Sequence, residues 1–477
     1  MRRRGRVTLA AMLLACCALV FACGHARPVN VSIGQVDRAA GYRAKVKIAA
    51  RQNNDPQTLF ALALSGGGMR AAAFSYGVLE ELHRTPIVVG GQHRRLLDEV
   101  DLVTAVSGGS FTALSYALYG EDLFRDYASR FLKRNIQGEI LNRVLNPLNW
   151  PRLVVGPYGR SELAADYYDE ILFGGKTFDD LAGLPGPFVL VTGTDLSTGG
   201  RLGFSQTDFD LLCSDVGKVR LSRAAATSSA VPSVFSPVTF NNYGGSCGYR
   251  LPDYLEDILS PPGGERPAGR ALLRFREMEG FQDSRSRPFV HLVDGGISDN
   301  LGIRGILEAM EEIEASRTLR RALRSRDIQR MVVIVVNARS APSTDWDREE
   351  TPPGILGQLF QSFSVPIDRY SFESIELLKD IVARWELLRE LAVARRRLAG
   401  AGEAEAEAAI PRYELYAIDV SFDAIPDPEQ RRHFMDLPTN LSLPGEEIDR
   451  LRSMAGLLLR QSSQYRQLVQ SLGGNLP

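Results

Sequence analysis

Two stretches of this chain repeat one plan: an apolar run of strand length, a glycine-rich turn, then residues with helical character. The first is Leu59-Phe60-Ala61-Leu62-Ala63-Leu64, followed by Ser65-Gly66-Gly67-Gly68-Met69-Arg70. The second is Val100-Asp101-Leu102-Val103-Thr104, followed by Ala105-Val106-Ser107-Gly108-Gly109-Ser110. A strand that turns sharply into a helix belongs to layered α/β architecture, because the helix must pack back over the sheet. Three further runs, Phe188 to Thr194, Pro288 to Val293 and Met331 to Val336, carry no charged residue. Continuous apolar runs of that length suit strands covered on both faces. The expected fold class is therefore α/β, with a central, mostly parallel sheet flanked by helices. After the first turn, a helix is expected to begin near Arg70. Phe74, Val78 and Leu82 form its core-facing stripe, and Ala71, Ala72 and Ala73 keep its first turn slim.

Composition changes sharply at the start of the chain. Arg2, Arg3, Arg4 and Arg6 precede an uncharged stretch from Val7 to Ala22. Basic, apolar and then small residues are the order of an export signal. The stretch is short for a spanning helix, which takes about 20 apolar residues. Leu19-Val20-Phe21-Ala22-Cys23-Gly24 resembles a bacterial lipoprotein processing site, with Cys23 as the residue to be lipidated, although Phe21 is bulkier than usual there. Residues 1–23 are accordingly read as a signal peptide of the lipoprotein type. The expected location is the bacterial cell envelope, lipid-anchored in the outer membrane or periplasm; secretion after ordinary cleavage is the alternative.

The remaining 24–57 segment is polar and mixed, and reads as a tether. Residues 58–340 alternate strand-like and helical runs and form the main domain, with a Pro-, Gly- and Arg-rich surface insertion at 256–287. Residues 341–477 read as a mainly helical C-terminal region. Helical periodicity runs from Ile367 to Arg397 and from Glu446 to Leu472, where Leu451, Met454, Leu458 and Leu459 share a face. A low-complexity connector lies at 396–409. With 477 residues, 44% of them hydrophobic, the chain can bury one large core or two. Of its five cysteines, only Cys213 and Cys247 lie beyond the leader. In an exported protein they can pair, and as buried thiols they can equally stay apart. No Cys-x-x-Cys or His cluster is present, so no metal and no cofactor is expected. A net charge of −1 offers no basic field for nucleic acid.

The chemistry-bearing residues sit on the turns. A serine lifted out of a sheet on a strained strand–turn–helix elbow needs small neighbours, and Ser107 has Ala105, Gly108 and Gly109. The usual first glycine of that pattern is Ala105 here. The Gly66-Gly67-Gly68 turn can aim several backbone N–H groups at one point, next to the positive end of a helix. That arrangement suits a tetrahedral oxyanion or a phosphate. No Gly-Lys-Ser/Thr follows, so it is not a nucleotide P-loop. Asp294, in His291-Leu292-Val293-Asp294-Gly295-Gly296-Ile297-Ser298-Asp299-Asn300-Leu301-Gly302, closes a buried strand at the sheet edge where α/β sites form. It can serve Ser107 as a general base, or simply cap the next turn.

These motifs, in this order, resemble the patatin-like phospholipases, a family that is itself similar to the catalytic domain of cytosolic phospholipase A2. The family pairs a Gly-Gly-Gly-x-Arg turn with a nucleophile elbow and a later Asp-Gly-Gly/Ala motif. Here they read Gly66 to Arg70, Ala105 to Gly109 and Asp294 to Gly296. Thr194-Asp195-Leu196-Ser197-Thr198-Gly199 and Ala225-Ala226-Thr227-Ser228-Ser229-Ala230-Val231-Pro232 match as well, and the resemblance covers roughly residues 58 to 340. It implies a three-layer patatin-like fold and a Ser107–Asp294 dyad without a catalytic histidine. It also implies an oxyanion hole built from the glycine turn, with Gly67 and Gly68 donating. Arg70 would then hold that loop or meet a phospholipid phosphate.

The chain's five histidines fit a dyad. A Ser–Asp–His order would leave only His433 after Asp294, and it lies in a charged stretch without a glycine turn. His291 reads as a packed strand residue. The function expected is hydrolysis of phospholipid or lysophospholipid carboxylic esters through an acyl-Ser107 intermediate, at a membrane surface. The alternatives are a small-ester esterase or thioesterase, and a catalytically silent envelope lipid-binding or assembly protein. Tyr116, Tyr119, Phe124, Phe131 and Trp150 are candidates for the acyl-chain entrance. Oligomeric state and the role of residues 341–477 are left open.

Overall fold

The computed structural model describes residues 30–476, apart from 52–53, 156–157, 233, 260–268, 317, 322–327, 342–344, 349 and 411. The signal-peptide reading of 1–23 and the lipidation reading of Cys23 lie outside the described residues.

One sheet organises the molecule. Its strands are β1 (Thr58–Leu64), β2 (Leu102–Ala105), β3 (Phe188–Asp195), β4 (Arg201–Gly203), β5 (Val238–Asn241), β6 (Phe289–Asp294), β7 (Arg330–Asn337) and β8 (Glu414–Ser421). The spatial order is β8-β7-β1-β2-β3-β6-β5, with β4 on the free portion of β3. From β8 to β3 every pairing is parallel. At β6, β5 and β4 the pairing turns antiparallel.

Alternation along the strands divides the interior into two cores, since successive side chains point to opposite faces. Phe60, Leu62 and Leu64 of β1 join Val332, Ile334 and Val336 of β7 in the larger one. Ala61 and Ala63 join Val333 and Val335 in the smaller. Helices α1 (Gly68–Arg84), α2 (Gly108–Tyr119) and α5 (Gly445–Gln461) cover the larger core. Helices α3 (Arg304–Ala315) and α4 (Ile355–Leu398) cover the smaller through Ile306, Leu307, Met310, Ile375, Leu378 and Ile381. Helix, sheet and helix make the three layers that the apolar runs lead one to expect.

Several boundaries differ from the sequence reading. The stripe Phe74, Val78, Leu82 is buried as expected, but α1 is buried on its other faces too, from Gly68 through Leu82. The reason is α5, which lies along it and pairs Arg452 with Glu80 (2.8 Å) and Arg460 with Glu81. The segment expected to be a tether is anchored to the domain at several residues from Asn30 onward. The Asn30 amide donates to Ser214 Oγ (3.0 Å) and Asn241 O (2.9 Å). Tyr42 is buried, with its hydroxyl donating to Val189 O (3.0 Å), and Arg43 pairs with Asp210 at 2.7 Å. Nor does the domain stop at residue 340. Strand β8 pairs with β7 from Glu414 to Ser421, so the C-terminal region supplies an edge of the central sheet as well as helices. Cys213 and Cys247 are joined as a disulfide that closes a 34-residue separation.

Candidate active site

Ser107 occupies the turn between β2 and α2 with φ 49° and ψ −121°. Among the described residues it shares positive φ outside glycine only with Cys213. A side chain held there costs on the order of 1–3 kcal/mol, so the surroundings must enforce it. They do so from both sides. The Ser107 N–H donates to Ser228 Oγ (2.8 Å), and Ser110 Oγ donates to Ser107 O (2.5 Å). Across the turn, a Cβ on Gly108 would lie 2.0 Å from Gly68 O. The small residues of the elbow are thus required by the approach of the first glycine turn. Ala105, the departure from the usual pattern, is a buried β2 residue with no positive φ, so it needs no glycine.

Asp294 ends β6, opposite Gly193 of β3. Its backbone N–H donates to Ala230 O (3.0 Å), and the next amide, of Gly295, donates to Ser228 O (3.1 Å). The carboxylate is then divided. Oδ1 accepts the Gly296 N–H at 2.8 Å, and Oδ2 accepts the Ser107 hydroxyl at 2.9 Å. Asp294 therefore caps its own turn and faces the serine with its other oxygen. Burial pushes its pKa up to about 6, against the opposing pull of the Gly296 N–H and the Ser107 hydroxyl. Thr194 Oγ1 donates to Asp294 O (2.9 Å). Thr194, Ser228 and Ala230 thus act as supports for the pair. They belong to the two segments that sequence comparison matched without assigning a task.

The first glycine turn meets the same point. Gly67 and Gly68 have φ of 133° and 60°, and a Cβ on Gly68 would lie 2.3 Å from Asn440 O. Of the three amides expected to form an oxyanion hole, that of Gly66 is already engaged, donating to Asn300 O at 2.8 Å. Met69 N–H donates to Asn440 O at 2.7 Å. Gly67 and Gly68 have no acceptor for their N–H groups among the described residues. Arg70 is fully buried, and burial lowers its pKa to about 10, opposed by Asp368. Its guanidinium donates to Ala338 O (3.0 Å), to Leu437 O and to Thr439 Oγ1 (3.1 Å). These contacts tie Arg70 to the segments beside the glycine turn, and Arg70 also lines the cavity at Ser107. Thr439 and Asn440 are participants that no local motif announced, and Asn300 lies in the Asp294 motif without a task assigned to it.

Ser107 and Asp294 open into a cavity of 630 Å³. Gly67 and Gly68 form one wall; Leu141, Val144, Val231, Val234, Phe235, Phe363 and Ile367 give most of the rest an apolar surface. Arg160, Arg339 and Asp368 also reach it. None of the five aromatic residues considered for the entrance lines it. Phe131 is instead stacked with Phe111 in the core (4.8 Å), and Trp150 Nε1 donates to Val144 O (3.2 Å) just outside. The histidines among the described residues lie elsewhere. His291 Nδ1 is 3.0 Å from Thr239 Oγ1, and His433 and His83 meet Glu447 (2.7 Å) and Glu121 (2.9 Å). A second cavity, of 780 Å³, is lined by Arg43, Arg94 and Arg95, each paired with a carboxylate, and holds no serine–carboxylate pair.

Comparison with known proteins places the motifs in one family. Residues 62–307, just over half of the chain, match the patatin-like phospholipase family. No curated protein matches the chain in sequence. Among solved structures, human GIVD cytosolic phospholipase A2 aligns at 14% identity and a TM-score of 0.43, over 90% of this chain. The same human enzyme in complex with methyl γ-linolenyl fluorophosphonate and terbium chloride aligns at 13% and 0.37, also over 90%. The chain spans 64% and 61% of the lengths of those two.

Proposed function

Since the chain belongs to the patatin-like phospholipase family, we propose that it is a serine acyl hydrolase acting on carboxylic esters of lipids, with phospholipids or lysophospholipids as substrates. The observation that carries this reading is the 2.9 Å hydrogen bond from Ser107 Oγ to a buried Asp294 carboxylate, at an apolar cavity.

In this reading Ser107 Oγ attacks the ester carbonyl carbon while its proton passes to Asp294 Oδ2. The oxyanion takes hydrogen bonds from Gly67 and Gly68, aided by the N-terminal ends of α1 and α2. The C–O bond to the alcohol breaks, and the proton held on Asp294 moves to the leaving oxygen. Water then attacks the acyl-serine, giving its proton to Asp294; fatty acid departs and Ser107 recovers its hydroxyl proton. A carboxyl raised to about 6 is a stronger base than an exposed one and still ionised at neutral pH. Proximity and the oxyanion donors supply the rest of the acceleration. Ester alcohols leave more readily than amines, which favours ester over amide substrates.

Export to the cell envelope, with Cys23 as a lipid anchor, is part of the same proposal. It draws support from the basic and apolar leader and from the Cys213–Cys247 disulfide, a bond suited to an oxidising compartment.

A fluorophosphonate probe and fatty-acid release from phospholipid vesicles test the hydrolase reading. Wild-type protein should be labelled and should release fatty acid, and folded Ser107→Ala should do neither. Labelling with hydrolysis of only small esters or thioesters would move the substrate class. A well-folded wild type that is neither labelled nor active on any ester would defeat the reading.

A further inference from the structure

We infer, resting on the hydrolase reading above, that the mouth of the Ser107 cavity is a docking surface for a phospholipid bilayer. Three uncharged or nearly uncharged segments, distant in sequence, converge there. Leu141, Val234 and Phe363 each line the cavity and are also exposed to the outside, at 54%, 49% and 38%. They come from the helix Ile136–Leu145, from the turn after Ala230 and from the first part of α4. Residues 229–249 and 355–367 contain no charged side chain. Between 140 and 151 the one charge is Arg143, which is occupied by Glu170 (2.7 Å) and the ring of Tyr167 (4.5 Å).

The apolar surface continues outward from that rim. Leu145 and Trp150 are exposed, and Leu148 is 83% exposed. The indole N–H is held on Val144 O, and Val144 itself lines the cavity, so Trp150 is fixed beside the mouth. Contiguous exposed apolar groups of this kind mark an interaction site. Tryptophan with its polar edge satisfied suits the boundary between head groups and acyl chains. Continuity with the cavity selects the occupant. An ester still seated in a bilayer reaches Ser107 only if the mouth meets the bilayer, whereas a protein bound across the same rim would shut it.

The test uses the full-length chain with Trp346→Phe and Trp385→Phe, which leaves Trp150 as the sole tryptophan, and Ser107→Ala to stop turnover. Phosphatidylcholine vesicles should shift its emission to the blue, and vesicles with brominated acyl chains should quench it. The reading is local to the rim, so attachment through the N-terminal segment does not imitate it. In parallel, Leu145→Asp/Leu148→Asp with Ser107 intact should cut hydrolysis of vesicle phospholipid by about tenfold or more. Hydrolysis of a soluble short-chain ester should stay within about twofold, because neither side chain lines the cavity. Unchanged Trp150 emission, or unchanged vesicle hydrolysis in the leucine variant, overturns the docking surface and leaves the hydrolase reading standing. Quenching without hydrolysis of either ester supports docking and removes the hydrolase. A lipid-free dimer that the leucine variant dissociates would assign the rim to a second copy and overturn the proposal.

Discussion

Asp294 is a carboxylate kept from water, with one oxygen on the Gly296 N–H and the other on the Ser107 hydroxyl. Its raised pKa of about 6 has two measurable consequences. As a base it must be ionised, so kcat/KM should rise with pH around that value and then level off. For stability the sign is opposite to that of a salt-bridged aspartate. Between the unfolded pKa near 4 and the folded value, the native state binds the extra proton, so stability falls as pH rises through this window. Above it the whole penalty of a dry carboxylate is present. Asp294→Asn should therefore abolish ester hydrolysis yet be more stable than wild type at about pH 8, by on the order of 1–3 kcal/mol. The gain should fade towards about pH 4. Urea titrations at both pH values check it, and an Asn variant less stable than wild type at the higher pH would refute it. Ser107 and Asp294 were legible in sequence because their turns need small neighbours close along the chain. The tasks of Ser228, Asn300 and Asn440 were not, since only tertiary packing brings their acceptors to the turns.

The two strand–turn–helix units act as one element pair. Their turns touch, and Gly108 meets the Gly68 carbonyl rather than open space. Gly108→Ala would drive a methyl into backbone 2.0 Å away, and neither chain segment can yield without moving a strand. The expected loss is about 2–4 kcal/mol of stability, together with most ester hydrolysis. Ala105→Gly, in a strand position without such contact, should keep activity. Thermal melts and initial rates on a soluble ester distinguish the two; an unaffected Gly108→Ala would refute the close packing. At this scale the apolar runs of β3, β6 and β7 announced themselves, since burial on both faces removes the charges that would interrupt them. Strand β8 did not. Its edge position tolerates Glu414 and Asp419, which break the run that would otherwise have marked it. The stripe on α1 was visible too, but not the burial of its opposite face, which depends on a helix from the far end of the chain.

Taken as a whole, the molecule joins its ends to its middle. The segment after Asn30 is tied to β5 and to the Ser214 region, and the last hundred residues supply β8, the seat of the glycine turn and the cover of α1. A chain ended after Asp436 would retain Ser107, Asp294 and all eight strands, yet lose Asn440, Thr439 and α5. It should lose fatty-acid release and accumulate as insoluble or protease-sensitive protein, which limited proteolysis and gel filtration would reveal; a soluble, active truncation would contradict this. Sequence reading placed the domain's end too early because strand-rich and helix-rich stretches look like separate units until pairing is seen. The clamp on Arg70 also sets a clock. Its Thr439 partner is synthesised 369 residues after it. A nascent chain leaving the ribosome, or threading through a translocon, already carries serine and aspartate but has no wall for the turn between them. Whatever membrane surrounds that chain during its manufacture is exposed to the finished pocket only after the final segment has docked.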